Sequence, residues 1–156
     1  MTVLRDATDP VVTITGGGTY TVADSITVSC SASDATSGIA SSTCAPTSTR
    51  PATDYPVGTT LLSASAVDRA GNTGGATAPV TVTVDTTSLC TLTRRLVSKP
   101  GVASSMCAKL SAAEDKNDRD GRQAALDNYR HEVSSQSGKS LTAESASLLT
   151  NLSLHL

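Results

Sequence analysis

The sequence predicts two domains of different class: an all-β sandwich over residues 1–87 and a small all-α helical bundle over residues 88–156. Three observations predict it. Apolar residues alternate at period two in short runs before Thr86, they recur at helical spacing after it, and each half carries two of the four cysteines.

Val11 to Thr15 opens the strand pattern, and Gly16 to Gly18 interrupts it. Ile26, Val28, Cys30 and Ala32 then alternate with Thr27, Ser29 and Ser31, which marks a half-buried strand with Cys30 on the inward register. Leu62, Ala64 and Ala66 share one face of a strand after Gly58, and Val80, Val82 and Val84 share one face of the last. Short alternating strands between turn signals indicate a sandwich. Tyr20 lies in a strand-like run and is expected in the core.

Beyond Thr86 the apolar residues fall on four helical faces. These are Leu89, Leu92 and Leu96; Val102, Met106 and Leu110; Leu126, Tyr129 and Val133; and Ala146, Leu149 and Leu152. Pro100-Gly101 separates the first two, Asn117 to Gly121 is polar and turn-rich, and Ser137 to Ser140 separates the last pair, with Ser140 or Thr142 as N-cap. No helix of this length buries its stripe alone, so a bundle is expected.

The chain has 156 residues, formal net charge −2, no Trp, no Phe and three Tyr. Before Thr87, Arg5, Arg50 and Arg69 face seven aspartates, while the remainder is mildly basic. Neither half carries the clustered basic face of a nucleic-acid binder. Cores built from Val, Ile, Leu and Ala in domains this small bury little surface, so a disulfide worth about 2–4 kcal/mol is a large share of stability. Four cysteines allow three pairings, and the break near Thr86 favours Cys30 with Cys44 and Cys90 with Cys107. Disulfides point to an oxidising, extracellular compartment. Met1 to Asp9 contains no apolar export segment, so the chain is expected to be the C-terminal part of a longer exported protein or to carry a start set too late, and no stretch is long enough to span a membrane.

Asp9-Pro-Val-Val-Thr-Ile14, Tyr20, Val28-Ser-Cys30, Asp34-Ala-Thr-Ser-Gly-Ile39, Cys44, Val57-Gly58 and Asp68-Arg-Ala-Gly-Asn72 together resemble the Ig-like repeats of secreted and surface bacterial proteins. The resemblance implies an immunoglobulin-like sandwich with a spacer or adhesive role, and Asp68 to Asn72 as a tight turn between strands. Leu89-Cys90, Leu92, Gly101 to Cys107, Leu110, Leu126, Tyr129, Val133, Gly138 to Thr142, Ala146 and Leu149 are similar to the FIMAH module, a small helical domain at the C-terminus of secreted bacterial proteins. Asp115 to Asp120 and Tyr129-Arg-His131 are more charged than that family's pattern, and the family supplies no activity to carry over.

No cofactor is expected, and calcium is the ion for which two sets of residues are candidate ligands. In Lys116 to Asp127, the residues Asp118, Asp120, Gly121 and Asp127 fall on positions 3, 5, 6 and 12 of a calcium loop, but Lys116 occupies the first ligand position. A solvated inter-helix loop with Asp118 or Asp120 as N-cap explains the same residues. Asp34, Asp68 and Asn72 are expected to meet at one end of the sandwich, where they either ligate calcium or form Asx-turns. His131 and His155 are expected to be structural or surface residues without a metal-motif partner, and neither a Gly-x-Ser-x-Gly elbow nor a complete phosphate-binding loop is present.

These features lead to a non-catalytic extracellular module pair, a spacer, adhesive or interaction tail whose partner is an unidentified protein or glycan surface. The alternative is a targeting appendage of a secreted hydrolase that binds polysaccharide or cell wall.

Overall fold

A computed structural model describes residues 6–156. Residues 1–5 of the expected first domain, and of the stretch read for an export signal, lie outside the described residues. The strands are β1 (Val11–Thr15), β2 (Gly18–Thr21), β3 (Ser25–Ser33), β4 (Ile39–Ser42), β5 (Ser48–Pro51), β6 (Gly58–Asp68) and β7 (Thr73–Thr83). Four helices follow: α1 (Thr86–Leu96), α2 (Pro100–Glu114), α3 (Arg119–Gln136) and α4 (Ala143–Ser153).

The expected fold class, an all-β immunoglobulin-like sandwich followed by an all-α bundle, is corrected. The described residues are mixed α and β, combining a three-stranded sheet, a four-stranded sheet and four helices. Its two compact units do not divide all-β from all-α. One comprises the chain up to Tyr20 together with Ser25–Val82, and the other comprises Thr21–Asp24 together with Thr83–Leu156. The physical reason is local. Val22 is buried, its N–H donates to the Thr83 carbonyl at 3.1 Å, and the Arg95 guanidinium donates to the Ala23 carbonyl. Val22 alternates with Tyr20 in a strand-like run, and that spacing does not announce a partner at Thr83.

In the first unit the sheets run β1-β3-β5 and β2-β7-β6-β4. Antiparallel registers place Ile14 opposite Cys30 and Leu62 opposite Ala78. The chain leaves β1 for the other sheet through Gly16, whose φ of 96° suits glycine and whose added Cβ would overlap the Thr27 carbonyl oxygen. The Tyr20 hydroxyl donates to the Gly16 carbonyl at 3.0 Å, and the ring is half-buried rather than enclosed. Ile26, Ala66, Val80 and Val82 form the buried core, while Val12, Ile14, Val28 and Leu62 are half-buried. Small aliphatic side chains fill this space thinly, and the Cys30–Cys44 disulfide reinforces it. Strand β7 stops at Thr83, so Val84 lies outside the sheet.

In the second unit α1, α3 and α4 start on side-chain caps, and α2 starts on a proline. The Asp85 carboxylate accepts from Ser88 N at 2.6 Å while Ser88 Oγ accepts from Asp85 N at 3.1 Å, a reciprocal capping box for α1. Pro100 begins α2 instead of merely separating two helices, because its missing N–H costs nothing in the first turn. Thr142 caps α4, accepting from Ser145 N at 3.1 Å. Leu89, Met106, Leu110, Tyr129, Val133 and Leu149 are fully enclosed. Tyr129 and Thr93 share a buried hydroxyl hydrogen bond of 2.8 Å, and Cys90–Cys107 links α1 to α2. Among the described residues no helix is long and apolar enough to cross a membrane.

Candidate functional site

Alternation along β6 runs Leu62, Ala64, Ala66 and then Asp68, so a carboxylate ends the inward face and is 2% exposed. Burying it requires hydrogen-bond donors, and the turn that follows supplies them. Asp68 Oδ1 accepts from Ala70 N at 2.9 Å and Asn72 N at 2.8 Å, and Oδ2 accepts from Asn72 Nδ2 at 2.7 Å. Burial alone pushes the Asp68 carboxyl upward, but the bonds from Asn72, Ser37 and Gly71 outweigh it and hold the group below its ordinary range.

Pairing of β4 with β6 places Ile39 opposite Asp68 and so brings the preceding loop alongside the turn. Asp34 Oδ1 gathers Gly38 N and Ser37 N at 2.8 Å, Thr36 N at 3.1 Å and Ser37 Oγ at 3.3 Å. These donors, Gly38 first, lower the Asp34 carboxyl as well. Asp6 joins from the segment before β1, its Oδ1 accepting from Thr8 N at 3.0 Å. One carboxylate oxygen from each of Asp6, Asp34 and Asp68 lies within 4.8 Å of the others. The Asn72 amide also donates to the Thr8 carbonyl at 3.2 Å and the Asp6 carbonyl at 3.5 Å. An open cleft of about 730 Å³ beside the cluster is lined by Asp6, Thr8, Thr36, Ser37 and Arg69.

Asp34, Asp68 and Asn72 are therefore brought together, with different roles: two carboxylates side by side, and an amide that donates to one of them. Asp6 was missed. Its only local signal is the Asx-turn spacing from Asp6 to Thr8, and nothing in the sequence tells that this segment returns to the β6–β7 turn. As a cation site the cluster offers hard oxygen ligands, and Asp6 Oδ2 is buried with no donor among the described residues. Calcium takes about 6–8 oxygens, and the lone pairs already committed to the two turns leave few of them to the protein. Both Asp34 and Asp68 are held ionised, so neither is poised to deliver a proton near neutral pH.

The second set does not converge. Asp118 is the N-cap of α3, its Oδ1 accepting from Gly121 N at 2.6 Å, and Asp120 lies in the first helical turn. Asp127 is a further two turns along the helix, paired with Arg130 at 2.6 Å and bonded to Gln123 Nε2 at 3.3 Å. A continuous helix from Arg119 separates residues that a calcium loop would wrap around one ion. His131 and His155 are exposed. Comparison with family models, curated proteins and solved structures gave no match.

Proposed function

We propose that the chain is a non-catalytic, extracellular spacing or protein-interaction module pair of a secreted or surface protein. The observation that supports it most is that each compact unit has its own internal disulfide, Cys30–Cys44 in one and Cys90–Cys107 in the other. Two such bridges, together with the absence of a membrane-crossing helix among the described residues, are compatible with an extracellular protein. The acidic cluster supports the non-catalytic part, because its carboxylates are engaged in locking two turns while the Asn72 amide holds the segment before β1. The bacterial Ig-like and FIMAH resemblances of the sequence extend the proposal to a bacterial source.

A pelleting assay tests the role. A spacing or protein-interaction pair stays in the supernatant when mixed with insoluble glucan or chitin. Saturable retention on either polymer would replace this role with that of a polysaccharide-targeting appendage.

A further inference from the structure

The second unit holds a cleft of about 420 Å³ between α1 and α2, within the roughly 300–1,000 Å³ range of small-ligand pockets. The two helices are antiparallel neighbours: Thr86 at the start of α1 donates its hydroxyl to Glu114 Oε2 at the end of α2, at 2.7 Å. The Cys90–Cys107 disulfide lines the middle and fixes the helices at a Cα separation of 5.0 Å, so the cleft does not depend on a mobile wall. Thr87, Thr91, Ser104 and Ser111 line its length, the Thr91 hydroxyl donating to the Thr87 carbonyl at 3.0 Å and keeping its oxygen as an acceptor.

Opposite charges mark the two ends. Glu114 lies beside Thr86, and Arg94 lies about 12 Å further along α1 at 1.5 Å per residue. The Arg94 side chain is exposed and has no hydrogen bond or ion pair among the described residues. An extended peptide advances about 3.3–3.6 Å per residue, so three residues span roughly 10–11 Å between their charged ends.

We infer that this cleft is a binding site for a short extended peptide with both termini free, about three residues long. The peptide carboxylate pairs with the Arg94 guanidinium, for which a planar two-nitrogen fork is the matching partner. Its ammonium meets the Glu114 carboxylate. The threonine and serine hydroxyls serve the peptide groups in between, and the absence of aromatic lining excludes stacking as the recognition mode. The cleft's chemistry is independent of the spacing role proposed above.

Titration calorimetry on the whole chain tests the site with Ala-Ala-Ala, its N-acetylated form and its C-terminal amide. The free peptide binds saturably in the millimolar range, and each blocked form binds about tenfold more weakly or worse. Arg94→Gln abolishes the discrimination against the amide only, and Glu114→Gln abolishes the discrimination against the acetylated peptide only. Glu114→Gln retains an acceptor for the Thr86 hydroxyl, and both side chains are exposed, so thermal melts of the variants match the parent. Equal binding of all three peptides, or no saturable heat from Ala-Ala-Ala, overturns the site, and the unmodified protein decides this even if a variant fails to fold.

Discussion

Asn72 Nδ2 donates a hydrogen bond to Asp68 Oδ2 at 2.7 Å, and the same nitrogen reaches the Thr8 carbonyl at 3.2 Å. One amide thus ties the β6–β7 turn to the segment entering β1. Asn72→Ala removes both links and leaves Asp68 short of a donor, so it lowers stability by about 1–3 kcal/mol. Asn72→Asp lowers it further by adding like charge beside Asp6, Asp34 and Asp68. Denaturant midpoints of the two variants check the order.

Acid sensitivity follows from the same cluster. Asp34 and Asp68 titrate below the ordinary value of 3.8 in the folded protein, so the folded state binds fewer protons than the unfolded one near that pH. Their contribution is present above pH 3.8 and is lost as pH falls through the folded values. Melting temperature should drop progressively below that pH, and less so in Asp34→Asn. A melting profile flat from neutrality down to pH 2 would contradict the hydrogen-bond account.

Turn locking also has a metal-binding consequence. Because the donors of Thr36, Ser37, Gly38, Ala70 and Asn72 already draw on Asp34 Oδ1 and Asp68 Oδ1, millimolar calcium should leave the melting temperature and the amide spectrum of residues 34–38 and 68–72 unchanged. A rise in melting temperature would make Asp6 Oδ2 a ligand and the cluster a cation site.

Sequence patterning disclosed much of this local structure and little of its assembly. Period-two alternation located β3 and β6, and i, i+3, i+4 spacing located all four helices, because both report which side chains face a core. The same alternation, continued by two residues, would have marked Asp68 as inward. Lys116 to Asp127 was ambiguous because aspartates suit calcium loops and helix N-caps alike, and only the unbroken helix from Arg119 decides between them. Val22 and Asp6 were silent, since each acts through a contact far away in sequence: Val22 with Thr83, Asp6 with Asn72. For the same reason the mixed α and β grouping of the chain was not legible.

Tyr129 provides an alkaline counterpart. Burial pushes its hydroxyl up to about 12, against a smaller lowering by the Thr93 hydrogen bond, so the folded state keeps a proton that the unfolded state releases from about pH 10. Stability should therefore fall between pH 10 and pH 12. Tyr129→Phe removes that dependence and costs about 1 kcal/mol at neutral pH, since Thr93 still donates to the Leu89 carbonyl. Paired melts at pH 7 and pH 11 give both results.

Gly16 tolerates no side chain, because its φ is 96° and a Cβ would meet the Thr27 carbonyl oxygen. Gly16→Ala should destabilise by about 1–3 kcal/mol, whereas Gly101→Ala, at an open position in the first turn of α2, should be close to neutral. Chemical denaturation of the two variants side by side makes the comparison.

The central claim, an extracellular pair of units each with an internal disulfide, is tested most directly by intact mass after export, with alkylation before and after reduction. The structure predicts no alkylation of Cys30, Cys44, Cys90 or Cys107 before reduction and full alkylation after it, with peptide maps joining Cys30 to Cys44 and Cys90 to Cys107. Free thiols at all four positions in the exported protein, or a bridge joining one unit to the other, would contradict it.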